Sequence, residues 1–204
     1  MNFYQRHVVP HLVHFAMRQH YLTPFRQHVI GVAEGRVLEV GIGSGLNLPL
    51  YGSNVRAVIG PEPSPELIRM ARERDAEAAM PIEFLEASAE AVPLDDASID
   101  TVVTTWTLCT IPDAPGALAE LRRVLKPNGA LLFVEHGRAP EPGVARWQDR
   151  LDPLWHRLAG GCHLNRKIDD LISGSGFRFD ALANARLTGP RTHTFLYEGR
   201  ARPA

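Results

Sequence analysis

Residues Val37 to Asn47 read V-L-E-V-G-I-G-S-G-L-N, and this stretch decides the fold. Val37, Leu38 and Val40 make a short apolar run, the pattern of a strand buried on both faces. Gly41, Gly43 and Gly45 follow at alternate positions. From Leu46 onward the chain can start a helix. A strand that breaks into glycines and then a helix makes a tight turn where a ligand lies against bare backbone. That order of elements opens a doubly wound α/β sheet of the Rossmann-like kind.

The loop also carries information about its ligand. Dinucleotide folds use G-x-G-x-x-G and seat a pyrophosphate on the helix N-terminus. Here the spacing is G-x-G-x-G, and Glu39 stands two residues before the first glycine. A carboxylate there repels a pyrophosphate. S-adenosylmethionine (SAM) has no phosphate, and its sulfonium and ammonium are positive. Glu39, Gly41, Gly43, Gly45 and Asn47 are therefore assigned to SAM in preference to NAD or FAD.

The rest of the alternating pattern supplies the other walls of such a site. Residues 54–61 read as a second strand, with Glu62 at its C-terminal end. An acid at that place accepts hydrogen bonds from both ribose hydroxyls of an adenosine cofactor. Pro63 stiffens the loop, and Ser64 caps a helix that has Pro65 at its first position. After a short strand at 82–85, Ser88 and Ala89 fall beside the adenine, where a side-chain oxygen and a backbone N–H suit the base edge. A β-branched strand at 98–105 follows. Thr105 and Trp106 at its end face the same crevice, because ligands bind at the carboxyl ends of parallel strands. A helix at 113–126, stopped by Pro127-Asn128-Gly129, leads to a fifth strand at 130–134, with His136 just beyond it as a candidate base or orienter.

The flanks depart from that alternation. Residues 2–20 read as one or two amphipathic helices, with Val8, Leu12, Phe15 and Ala16 on one face. Residues 1–34 are then a helical cap, and Tyr4 and His7 become substrate-side residues. His7, His11 and His14 recur at i, i+4, i+7, a spacing that serves a metal less well than it serves a solvated stripe, since no Cys or acid joins them. Thr23 and Pro24 open a helix to about residue 33. Residues 35–204 form the main domain, with a helical insertion at about 140–165. There Val144, Trp147, Leu151, Leu154, Trp155 and Leu158 repeat at helical spacing, broken by Pro153. Trp147 and Trp155 are core or pocket wall. Asn165 caps a short helix, and residues 177–185 and 193–200 are an antiparallel strand pair around Gly189-Pro190.

Composition narrows the function classes. The 204 residues are 45% hydrophobic and 22% charged, as in a globular protein with a sizeable core. A net charge of −1 offers no footprint for nucleic acid. No apolar run is long enough to span a membrane, and the His-rich start is no signal peptide. Two cysteines, Cys109 and Cys162, do not make a disulfide framework and fit a cytoplasmic setting. Both are read as packing residues.

Taken together, V-L-E-V-G-I-G-S-G, Glu62, D-A-S-I-D-T-V-V and L-R-R-V-L-K-P-N-G-A-L-L-F-V-E-H resemble the class I SAM-dependent methyltransferases. The resemblance implies a seven-stranded sheet ending in an antiparallel pair, loop glycines against the methionine part of SAM, Glu62 on the ribose and Ser88-Ala89 beside the adenine. Many members carry Asp where this chain has Ser88. A narrower likeness lies in T-L-C-T, E-H and L-D-P-L-W-H-R-L-A-G-G-C-H-L-N-R, which resemble the microsomal thiol S-methyltransferases and small bacterial relatives acting on hydrogen sulfide and methanethiol. The microsomal proteins carry an N-terminal membrane anchor, and this chain begins instead with a polar, His-rich helix.

The expected reaction is an in-line displacement in which a substrate sulfur takes the SAM methyl and S-adenosylhomocysteine (SAH) leaves. Such a donor is already activated, so the protein supplies positioning and a dry pocket, and no metal is needed. The thiol must become a thiolate, and a nearby cation lowers its pKa. Candidates for that help are His136, His156, His163 and Arg166. Other acceptors on the same fold are a quinone carbon, a phospholipid amine or a hydroxyl. A SAM-binding protein without turnover is a third reading.

Overall fold

The computed structural model describes residues 3–204. Seven strands form one sheet: β1 (Gly35–Val40), β2 (Val55–Pro61), β3 (Ile82–Leu85), β4 (Ile99–Thr105), β5 (Leu125–His136), β6 (Phe177–Arg186) and β7 (Phe195–Pro203). Their order is β3-β2-β1-β4-β5-β7-β6. The first five pair in parallel, and β7 inserts antiparallel between β5 and β6. Order reverses between β1 and β4, so a crevice opens at the carboxyl ends of those strands.

The continuous apolar runs read as strands because both faces are covered. Alternate residues serve opposite faces. Leu38, Val40, Val102, Leu131 and Phe133 pack with Leu118 and Leu121 of α5 (Ala114–Val124). Val37, Val58, Val103 and Leu132 pack with Val29 and Ile30 of α3 (Thr23–Ile30). Ser64 caps α4 (Pro65–Arg72) by accepting from Leu67 N, as its sequence position predicts, and Asp113 does the same for α5 through Gly116 N.

Several expectations are corrected. No α-helix follows the glycines; Leu48–Leu50 form a single 3-10 turn, where Pro49 withholds an N–H. Thr23 is the first helical residue of α3, not its cap, because a 3-10 turn at His20–Leu22 runs straight into it. Pro127-Asn128-Gly129 lie inside β5, in the irregular stretch between the Ile99–Leu125 and Thr101–Ala130 pairings. Asn165 does not cap α7 (Ile168–Gly174); its amide donates to Asp149 at 3.0 Å instead.

The N-terminal segment makes two helices, α1 (Phe3–His7) and α2 (Val9–Met17). Their inward face is not the expected one. Leu12 and Phe15 are exposed, and Val9, Pro10, Val13, His14 and Met17 turn toward the crevice. Both stripes fit helical spacing, and the sheet selects the second. The insertion forms α6 (Pro142–Leu158), which runs through Pro153 without breaking. The expected apolar stripe is split: Val144, Leu151 and Trp155 are half-buried, with Val144 against the core, Trp147, Leu154 and Leu158 are exposed, and Gln148 and Asp152 are buried between them. Gln148 satisfies Ala139 N, Gly137 O, Leu164 O and Thr192 O, and Asp152 accepts from Leu164 N at 2.7 Å. Gln148 and Asp152 thereby join three backbone segments, at 137–139, Leu164 and Thr192, by hydrogen bonds. Among the described residues, no helix is long and apolar enough to cross a membrane.

Candidate functional site

A cavity of about 400 Å³ occupies the crevice. Its floor is the glycine turn. Gly41, Gly43 and Gly45 all have positive φ, at 64°, 57° and 74°. A Cβ on Gly41 would meet Thr107 Cγ2 at 2.7 Å, so bare backbone is needed for packing. One on Gly43 would meet only Gly41 O, at 3.8 Å, and would stand in the space a ligand needs. Gly45 packs against Leu48 and Ala71 and does not line the cavity.

Two buried carboxylates hold the turn. Glu39 is 1% exposed; its Oε1 accepts from Asn47 Nδ2 at 2.8 Å and its Oε2 from the Tyr51 hydroxyl at 2.7 Å. Glu62 Oε1 accepts from Ser64 N at 2.9 Å and Oε2 from Gly43 N at 3.2 Å. A carboxylate has about four acceptor sites, so Glu62 retains capacity for two more donors. Burial pushes each acid up to about 7, against the hydrogen bonds each receives.

Arg26, which the sequence reading did not single out, is the basic residue of the network. It is 6% exposed. Its guanidinium donates to Asn47 Oδ1 at 2.6 Å and Met17 O at 3.2 Å, and lies 4.8 Å over the Trp106 ring. A signal was present: Arg26 precedes Val29 and Ile30 by three and four positions, on the helix face that enters the core. Trp106 itself has φ of 53°, a left-handed conformation that costs a large non-glycine side chain about 1–3 kcal/mol. His14 was also missed as a pocket residue; its Nδ1 lies 2.7 Å from Ser44 Oγ, and burial lowers its pKa.

Of the expected cofactor residues, Glu39, Gly41, Gly43, Asn47, Glu62, Pro63, Ser88, Ala89 and Thr105 line the cavity, as does Trp106 from the substrate list. The others lie elsewhere. The Tyr4 hydroxyl donates to Leu158 O at 3.1 Å, and His7 is exposed beside Phe3. Trp147 is 56% exposed, and Trp155 packs edge-on against His193. His7, His11 and His14 go to separate partners, with His11 3.5 Å from Glu66.

His136, His156, His163 and Arg166 do converge, but behind the cavity wall formed by residues 106–112. Arg166 donates to Leu108 O and Ile111 O at 2.5 and 2.6 Å. His163 donates its backbone N–H to Cys109 O at 2.9 Å, pairs with Asp152 through its ring at 2.9 Å and stacks on His156. His136 Nε2 lies 2.8 Å from Cys162 Sγ. Glu135, buried and raised to about 7 by desolvation, accepts from Thr107 N at 3.1 Å.

These residues fit SAM. Two carboxylates border the turn, Gly43 leaves its space open, and Glu62 keeps lone pairs for a diol.

Comparisons with known proteins agree. Residues 38–133 match the family model described as a methyltransferase domain. The chain is 36% identical over 140 residues to the thiol S-methyltransferase TMT1B of Rattus norvegicus, covering 66% of this chain and 56% of that one. It is 36% identical over 144 residues to the human thiol S-methyltransferase TMT1A, covering 69% and 59%. A phosphatidylethanolamine N-methyltransferase of Cereibacter sphaeroides is 35% identical over 131 residues, covering 60% and 63%. The chain thus spans little more than half the length of the thiol relatives. Among solved structures, a SAM-dependent methyltransferase from Thermotoga maritima superposes with a TM-score of 0.68 at 23% identity, covering 97% of this chain and 99% of that one. The [4+2]-cyclase SpnF superposes at 0.70 with 18% identity, covering 90% and 80%. The second likeness is a reminder that this fold alone does not fix a reaction.

Proposed function

We propose that this chain, which carries a SAM-dependent methyltransferase domain on the class I fold, transfers the SAM methyl group to the sulfur of a small-molecule thiol such as hydrogen sulfide, methanethiol or an alkyl thiol. The observation that carries the reading is the cavity of about 400 Å³ between the glycine turn, the 106–112 wall and α2. Ligand pockets run from about 300 to 1,000 Å³. One near the lower end, already asked to hold SAM, leaves room for a small acceptor. The relatives named as thiol S-methyltransferases point the same way.

When bound, SAM supplies a methyl group activated on a sulfonium. The chain's own residues do the rest. Glu62 accepts the ribose hydroxyls, Ser88 and Ala89 flank the adenine, and the backbone of Gly41 to Gly43 lies along the methionine part. Glu39, Asn47 and Arg26 fix that turn. The described part of the 1–34 segment caps the site: Val9, Pro10, Val13 and Met17 exclude water, which leaves the attacking sulfur poorly solvated and reactive. His14, half-buried in the cavity wall beside Ser44 with its pKa lowered by partial burial, takes the thiol proton. His136, His156, His163 and Arg166 act as positioning residues that hold the wall. Two unpaired thiols suit a reducing, cytoplasmic setting.

The test is incubation of purified protein with SAM and sulfide or methanethiol. Volatile methylated product is expected, and Glu62→Ala abolishes it. The 35% identity to a phosphatidylethanolamine N-methyltransferase favours a second reading, an amine acceptor. Labelled SAM offered with amines, quinones and thiols separates the two, and tight SAH binding with no product across that panel overturns both.

A further inference from the structure

We propose that Cys109, Cys162 and His136 form a binding site for a thiophilic d10 cation, with Zn²⁺ as the probe. The observation is a juxtaposition of three donors. Cys162 Sγ lies 3.7 Å from Cys109 Sγ and 2.8 Å from His136 Nε2, and all three atoms fall within 4.8 Å of one another. They come from three separate stretches: the loop after β4, the end of β5 and the segment after α6.

The geometry matches the metal. Tetrahedral Zn²⁺ with sulfurs at ~2.3 Å sets them about 3.8 Å from each other. The sulfur pair already spans that gap. The imidazole nitrogen needs to retreat by under about 1 Å, a side-chain adjustment, to reach the roughly 3.5 Å that tetrahedral zinc sets between sulfur and nitrogen. Two thiolates and an imidazole select zinc or a similarly soft ion over magnesium or calcium.

The frame around the donors stands without a metal. His163 N bonds to Cys109 O, and Arg166 bonds to Leu108 O and Ile111 O, so the two loops are held in register. Both cysteines are buried, and among the described residues His136 Nδ1 has no hydrogen-bond partner to hold the ring elsewhere. On binding, the two thiols release their protons to solvent as two Zn–S bonds form. The cation then ties the 106–112 wall to residues 161–164. This role replaces plain packing for the cysteines, and it stands whether or not the acceptor is a thiol.

The experiment uses the full chain, stripped with a chelator and reloaded with Zn²⁺. One Zn²⁺ per chain is expected, with a rise in melting temperature and protection of both cysteines from alkylation. Cobalt loading should give sulfur-to-metal charge-transfer bands. His136→Asn keeps both sulfurs and should weaken Zn²⁺ binding at least tenfold; Cys162→Ala should abolish the bands. Circular dichroism establishes that each variant is folded. If equimolar Zn²⁺ leaves both the melting temperature and the alkylation of a folded chain unchanged, the site is overturned. A Cys109–Cys162 disulfide in the protein as isolated overturns it equally.

Discussion

Asn47 stands eight residues after Glu39, and its side-chain amide donates to the Glu39 carboxylate at 2.8 Å. That bond does the work a helix usually does at this place. With only a 3-10 turn after the glycines, the loop has no regular hydrogen-bond ladder to hold it. Side chains take over: Asn47 to Glu39, Tyr51 to Glu39 and Arg26 to Asn47.

Asn47→Ala leaves a buried carboxylate and a buried guanidinium each short of a partner. An unmade hydrogen bond to a buried group costs about 1–3 kcal/mol, so a loss on the order of 3 kcal/mol is expected. Urea unfolding measures it. A midpoint within error of the parent would mean that the network does not hold the turn.

Arg26→Lys keeps the charge and loses the fork. A lysine cannot serve Asn47, Met17 and the Trp106 face together. Because the Met17 bond ties α3 to the end of α2, the cap should loosen. Faster amide exchange across residues 9–17 and a drop in SAH affinity of about tenfold, roughly 1.4 kcal/mol, are expected. Unchanged exchange in α2 would uncouple Arg26 from the cap.

The two glycines that flank Ser44 separate binding from folding. At Gly43 an added Cβ points into open space; at Gly45 it meets Leu48 at 3.0 Å and Ala71 Cα at 3.1 Å. Both positions have positive φ, a strain of about 1 kcal/mol for alanine. Gly43→Ala should therefore cost SAH affinity more than stability, and Gly45→Ala stability more than affinity. Calorimetry and thermal unfolding on both variants read the contrast, and equal losses in both would sink it.

Much of this was legible in the chain. β3 matches its expected bounds, and the glycine turn, Glu62 and the Ser64 cap stand where local pattern put them, because each depends on neighbours in sequence. The misses share a cause. Which stripe of α2 faces inward, and that α6 buries Gln148 rather than Trp147, are decided by surfaces that lie far along the chain. Helical spacing puts Arg26 on the core-facing side of α3, but its partners Asn47 and Trp106 are distant in sequence, so its role is not readable there. The Cys109–Cys162–His136 cluster joins residues up to 53 positions apart, which no spacing rule reveals.

His14→Gln tests the proton step. His14 lines the cavity from α2, held beside Ser44 Oγ, with its pKa lowered by partial burial. A thiol of ordinary pKa, about 8.5, needs that base, and an acidic aryl thiol already ionised at pH 7 does not. The variant should lose kcat with an alkyl thiol by about 10²-fold or more and keep most of it with the aryl thiol. Equal losses with both would remove His14 from proton transfer.

The pH dependence of cofactor binding follows from Glu62. In the free protein burial holds its pKa at about 7, well above the ordinary carboxylate value of 4.5. A folded-state pKa that is raised means stability fully present below about 4.5 and lost as pH climbs through 7, so the ligand-free fold weakens across that window, by a few kcal/mol at most. Binding runs the opposite way. The ribose hydroxyls donate to the ionised carboxylate, so SAH prefers the deprotonated form, and a proton leaves Glu62 on binding at pH 6. Affinity should rise with pH, by up to about tenfold per unit below 7, and level off above it. Calorimetry at pH 6 in two buffers of different ionisation enthalpy should detect the released proton. Glu62→Ala should lose both the proton release and the slope. A pH-independent affinity between 6 and 8, with no proton exchanged, would show that the ribose is held by another group.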